Sequence, residues 1–208
     1  MTDMRTEPTS PSSATASASP GEVIRDHIEE SIRVKQALLG MTEPIERAAA
    51  LLVERLKNGG RVVIFGNGGS AADSQHFAAE MVGRLEVDHG SLPVLALTTD
   101  TSILSAVAND FGYDQVFARQ VNAFVRAGDV AIGISTSGGS RNVVEGLRAA
   151  RALQAHTIGM VGEKGGLMAE LCDHLIRVPS SRTMRIQECH LTVVHILCHA
   201  VERAFVDA

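Results

Sequence analysis

From Gly21 onward the chain alternates two kinds of apolar pattern. Ile24, Ile28, Ile32 and Leu38 recur at helical spacing, and Gly40 ends that run. Thr42 is placed to cap a second helix, with Pro44 tolerated in its first turn, Leu51, Leu52 and Leu56 on its apolar side, and Gly59-Gly60 closing it. Short β-branched runs then take turns with helical periods. Strands are expected at 61–65 (RVVIF), 94–98 (VLALT) and 130–134 (VAIGI), with 157–161 and 175–178 as the fourth and fifth candidates. Helices are expected from the loop at 66–70 to about Met81, over 102–108 and 115–125, and from Ser140 through Leu153. A short helical segment near 167–171 and one long helix over about 183–205 complete the pattern. Strands separated by helices in this way imply a parallel sheet covered on both faces.

The first 20 residues break the pattern. Five Ser, four Thr, three Pro and three Ala leave that stretch almost nothing to bury, so 1–20 is expected to be a disordered tail and 21–208 a single domain. The chain has 19 Lys+Arg against 24 Asp+Glu, a net charge of −5 with no basic run, which argues against a nucleic-acid binder held by bulk charge. Aromatic residues make up 3% of the chain, too few for base-stacking platforms. Met1 to Pro20 contains no apolar segment of the secretory kind, and no apolar run approaches a membrane-spanning length. Cys172, Cys189 and Cys198 lack metal-binding or CxxC spacing and read as reduced thiols packed in or near the core. These features together point to a cytoplasmic protein without membrane or nucleic-acid partners.

Two glycine-serine loops carry the chemistry. Gly66-Asn67-Gly68-Gly69-Ser70 follows the first expected strand, and Ser135-Thr136-Ser137-Gly138-Gly139-Ser140 follows the third. A loop that leaves a parallel strand and opens a helix offers backbone N–H groups and a positive dipole end, so phosphate is its usual occupant. In a doubly wound sheet two such loops face each other when their strands flank the switch point. The first loop fits a loose dinucleotide fingerprint, with Asp100 as the acidic partner, but the segment between them is longer than a compact βαβ unit prefers. No Lys-Ser/Thr follows the glycines, which excludes a P-loop. The second loop, with four hydroxyls in six residues, suits a compact phosphate monoester. Both loops could also be plain strand–helix turns.

The titratable residues fall on two helices. His76 and Glu80 stand four apart on the helix after the first loop, with Asp73 one turn earlier. Gln187, Glu188, His190, His195 and His199 lie on the last helix, where Gln187 and His195, eight apart, differ by about 80° and can lean toward one neighbour. A carboxylate and a histidine near a phosphate cradle suit proton transfer between adjacent carbons of a sugar phosphate, with a divalent metal able to polarise the oxygens. A histidine among Val193, Val194, Ile196 and Leu197 is equally well explained as a satisfied core residue.

Five stretches together closely resemble the sedoheptulose 7-phosphate (phosphoheptose) isomerases of the sugar isomerase (SIS) domain superfamily: GNGGSAADSQHFAAEMVGR (66–84), ANDFG (108–112), GISTSGGS (133–140), TIGMVGEKGG (157–166) and RIQECHLTVVHI (185–196). The resemblance covers about residues 21–206. It implies a three-layer αβα sandwich of the flavodoxin-like doubly wound type, with a five-stranded parallel sheet and long terminal helices. It further implies a homotetramer with active sites between subunits. The implied reaction converts D-sedoheptulose 7-phosphate to D-glycero-D-manno-heptose 7-phosphate through an enediol, the first step of nucleotide-activated heptose biosynthesis. By the same resemblance Glu80 is the base and His195 the acid/base, and one zinc ion per subunit is held by His76, Glu80, Gln187 and His195. Asn67, Gly68, Gly69, Glu80, Asn109, Asp110 and Gln187 match substrate contacts, as does Arg84. Ser135, Thr136, Ser137 and Ser140 match the phosphate cradle. Gly139 stands where asparagine is common, and the segments 85–91 and 180–183 are less typical. The main rival is a non-catalytic SIS adaptor that binds the bacterial replication initiator; it resembles the isomerases with the catalytic pair lost, whereas this chain keeps Glu80 and His195. A sugar-phosphate sensor or an NAD enzyme are remoter alternatives.

Overall fold

The computed structural model describes residues 19–206. The expected tail therefore falls outside the described residues except for its last two, which belong to the fold. Ser19 caps the first helix, α1 (Pro20–Ala37), in a reciprocal capping box with Glu22, and Pro20 occupies the first turn. A 3-10 turn at Leu38–Met41 absorbs Gly40 and leads into α2 (Thr42–Lys57). Thr42 is the first residue of α2 rather than its cap, and its hydroxyl donates back to the Leu39 carbonyl at 2.7 Å.

From there strand and helix alternate as expected. The order is β1 (Val62–Gly66), α3 (Gly69–Val82), β2 (Val94–Ala96), α4 (Thr101–Phe111), α5 (Val116–Phe124), β3 (Val130–Ser135), α6 (Arg141–Ala152), β4 (His156–Val161), β5 (His174–Arg177) and α7 (Thr183–Phe205). The five strands are all parallel in the order β2-β1-β3-β4-β5. That order is the flavodoxin-like one, with the switch point between β1 and β3. Asp100 is the N-cap of α4, accepting from the Ile103 N–H at 2.8 Å, which accounts for it without a dinucleotide ribose.

Alternate strand residues feed two separate cores. Val62, Ile64, Ile132, Ile134, Ile158 and Ile176 pack against α2, α3 and α7. Val63, Phe65, Ala131 and Val161 face the other way, onto α5 and α6. Strands buried on both faces need apolar side chains at every position, which is why β1 and β3 read as unbroken apolar runs. Cys189 and Cys198 are buried and Cys172 is half-buried, all as free thiols. Among the described residues no helix is long and apolar enough to cross a membrane.

Candidate active site

Three helices, α3, α6 and α7, begin at the carboxyl edge of the sheet, and none has its N-terminus capped by the side chain of its N-cap residue. Their free N–H groups and aligned dipoles make this edge receptive to an anion. Ser140, the N-cap of α6, turns its hydroxyl instead to Ser135 Oγ at 2.9 Å. Ser135 is buried and also lies 3.4 Å from Ser137 Oγ, while the Gly139 N–H donates to Ser137 Oγ at 3.2 Å. Three of the four hydroxyls expected from the second loop, those of Ser135, Ser137 and Ser140, are therefore brought together, with Ser135 as the internal organiser.

Thr136 and Ser137 also line a cavity of about 190 Å³ with Glu163, Lys164, Ser180, Ser181, Thr183 and Ile186. Lys164 puts a cation at the hydroxyl cradle, and sequence reading did not single it out. Its loop is fixed in place because Gly138, at φ +66°, lies so close to Gly165 and Gly166 that any Cβ would collide with their backbone. The Met168 N–H donates to the Gly138 carbonyl at 3.1 Å, which completes the interlock.

The first loop is held by a pair that sequence reading also missed. Asn67 and Asn142 exchange reciprocal amide hydrogen bonds at 2.8 Å each, and the Tyr113 hydroxyl donates to Asn67 Oδ1 at 3.3 Å. Asn142 is a buried amide, and a buried amide requires a partner; nothing in the local pattern names which one. Gly68, at φ +56°, turns the chain into α3. A Cβ at Gly69 would lie 2.6 Å from the Gln187 amide, so Gln187 packs on the loop itself. Asn109 and Asp110 are exposed near the end of α4, where Asn109 Nδ2 donates to Asp110 Oδ1 at 2.8 Å.

Below this loop, α3 and α7 run side by side in the same direction. Gly69 meets Gln187, and two turns further on His76 meets His195, their Nε2 atoms 2.9 Å apart with rings edge-on. His76 Nε2 also lies 3.1 Å from Glu80 Oε1. His76, Glu80 and His195 thus form one cluster, open to solvent, with His76 at its centre. Gln187 sits higher, about 10 Å up α3 by the rise from His76 to Gly69. Arg84 lies beyond the far end of α3, about 20 Å of helix from Gly69, and does not join the loops within one chain. Asp73, one turn before His76, has a buried Oδ2 with no partner among the described residues. Burial raises its carboxyl above the ordinary value, with His76 pulling the other way.

A further group, Glu86, His199 and Glu202, places one ligand atom from each residue within 4.8 Å of the others and could hold a metal ion. The His76 cluster also has the chemistry of a cation site. His76 Nε2 stands between His195 Nε2 and Glu80 Oε1, and each nitrogen that lacks a proton presents a lone pair.

The family model for the SIS domain matches residues 27–162. The chain is 49% identical over 180 residues to the phosphoheptose isomerase of Aliarcobacter butzleri, covering 86% of this chain and 95% of that one. It is 49% identical over 182 residues to that of Aquifex aeolicus, covering 87% and 95%. The solved phosphoheptose isomerase of Neisseria gonorrhoeae superposes with a TM-score of 0.85 at 46% identity, covering 89% of this chain and all of that one. That of Francisella tularensis gives 0.87 at 34% identity over the same shares. The chain belongs to the phosphoheptose isomerases of the SIS-domain family.

Proposed function

We propose that the chain is a sugar-phosphate aldose-ketose isomerase that interconverts D-sedoheptulose 7-phosphate and D-glycero-D-manno-heptose 7-phosphate through an enediol. The observation that carries this reading is the pairing of an anion cradle at the sheet edge with a carboxylate–imidazole cluster two turns below it. A phosphate at one end of an extended heptose and the reacting carbons at the other require such a separation. Thr136, Ser137, Ser140 and Lys164 bind the phosphate, with Ser135 holding the hydroxyls in place. Asn67, Gly68, Gly69 and Gln187 border the sugar, and Asn109 and Asp110 approach it from the end of α4.

In the forward direction Glu80 takes the proton from C1 of the ketose while His195 gives a proton to O2, which forms the enediol. Glu80 then returns its proton to C2 as His195 accepts the proton of O1, leaving the aldehyde at C1. The net change is one proton moved from C1 to C2 and one from O1 to O2. Zinc would be held by His76, Glu80 and His195, with Gln187 as the fourth ligand that the family resemblance implies, and would polarise the two oxygens.

The cluster is open to solvent, and α1 carries Val23, Ile24, Ile28 and Ile32 exposed along one face without a single buried residue. Both features support a homo-oligomer, a tetramer by resemblance, whose subunits cover α1, enclose the site and bring Arg84 to a neighbour's substrate. The cluster of Glu80 and His195 with His76 weighs against the adaptor reading, which predicts loss of that pair.

Incubation with sedoheptulose 7-phosphate, followed by NMR, is expected to show the aldose forming. Glu80→Gln keeps the shape and removes the base, so kcat should fall about 10³-fold with the circular dichroism unchanged. Absence of turnover by the unmodified protein, with and without added zinc, would overturn the proposal.

A further inference from the structure

Glu202, near the end of α7, is 1% exposed and still carries a carboxylate. Its Oε1 accepts three consecutive backbone N–H groups, from Leu85, Glu86 and Val87, at 3.0, 2.9 and 2.9 Å. Burial works to raise this carboxyl, and the three donors outweigh it, so the group lies below its ordinary range and is ionised at neutral pH. The other oxygen, Oε2, is buried with no hydrogen-bond partner among the described residues. An ionised oxygen out of water and without a donor calls for a cation.

Two exposed ligands stand beside it. His199 precedes Glu202 by three residues on α7, and its Nδ1 lies 3.5 Å from Glu86 Oε2. Two ligand atoms bound to one tetrahedral ion at about 2.1 Å sit about 3.4 Å apart, so the Glu86–His199 spacing already suits a common ion. The third ligand atom is within 4.8 Å of both, which a small closure of the flexible Glu86 and His199 side chains meets. His89 also faces Glu202, but its Nδ1 is engaged by the Gly90 carbonyl at 2.6 Å. One imidazole with two carboxylates selects a borderline divalent transition ion over calcium or magnesium.

The geometry points to a second metal site, formed by Glu86, His199 and Glu202, that takes a borderline divalent ion such as zinc and ties the segment after α3 to the end of α7. It lies one turn along α7 from His195 and is independent of the proposed reaction.

Zinc stoichiometry of the full chain, read by equilibrium dialysis and metal quantification, tests this. The unaltered protein is expected to bind two equivalents, and His199→Ala and His195→Asn one each. His199→Ala should weaken its own site at least about 100-fold, the upper end of what even supporting residues cost. It should shrink the zinc-induced rise in Tm and leave the isomerisation rate unchanged. Glu86→Gln, also exposed, should act as His199→Ala does. Zinc binding undiminished in both His199→Ala and Glu86→Gln would overturn the site. A single equivalent lost only in His195→Asn would overturn it too, whereas one lost only in His199→Ala would support it and remove zinc from the proposed active site.

Discussion

His76 Nε2 has two neighbours and at most one proton. Donating to Glu80 leaves His195 to share the same hydrogen, and accepting from His195 sets a lone pair against the carboxylate 3.1 Å away. Only a mobile proton or a cation relieves both contacts, which suits a site that moves protons. At the other end of the proposed site, Lys164→Ala should raise KM about tenfold and leave kcat nearly unchanged, because on the proposed reading the lysine meets the phosphate and not the reacting carbons; steady-state kinetics reads the split. His190 has a different part. Burial among apolar neighbours pushes its pKa down to about 4, although its contact with the Val161 carbonyl works upward. The unfolded chain takes up that proton from about pH 6.5 downward, so the stability present above pH 6.5 is lost progressively toward pH 4, by about 3 kcal/mol in all. His190→Gln should flatten the fall of Tm over that range, as thermal scans at stepped pH would show. The hydroxyl cradle and the His76–Glu80 pair were legible in the sequence because loop chemistry and helix spacing are local, whereas His195 was singled out from a core histidine only by the family resemblance. Asn142, Tyr113 and Lys164 were not, since each acts through a partner on a distant segment.

The eight-residue interval between Gln187 and His195 looked like one face reaching one neighbour. It spans about 12 Å of helix, so the two residues meet α3 at different levels, Gly69 above and His76 below. Periodicity reports the angle around a helix and says nothing of which level of a neighbour lies opposite. α1 poses the reverse case. Its apolar stripe was plain in the sequence, but the helix docks through polar contacts: Arg182 and Arg185 pair with Glu30, Arg185 also reaches His27 and Glu188, and Ser31 bonds Glu188. The apolar face is left outward. Ile28→Asp should therefore leave the subunit folded and break the proposed assembly, with a fall in native mass by light scattering and a matching loss of activity at low protein concentration.

At the level of the whole molecule, the strands were recognisable because a doubly covered parallel sheet leaves no room for alternation. The order of those strands was legible only through the family resemblance, since it depends on where each crossover lands. It is this order that sets the β1 and β3 loops side by side. Every helix that follows a strand then runs back in the same direction, and α3, α6 and α7 all present their N-termini at one edge. Parallel dipoles side by side repel, so an anion at that edge relieves a strain built into the architecture. The consequence concerns ionic strength. At 0.1 M salt charges are screened beyond about 10 Å, which silences the net charge of −5 but not donors at contact distance. A basic surface loses its anions as salt rises; on the proposed reading this edge holds them at short range and should remain a phosphate site in media where a charged patch would fail.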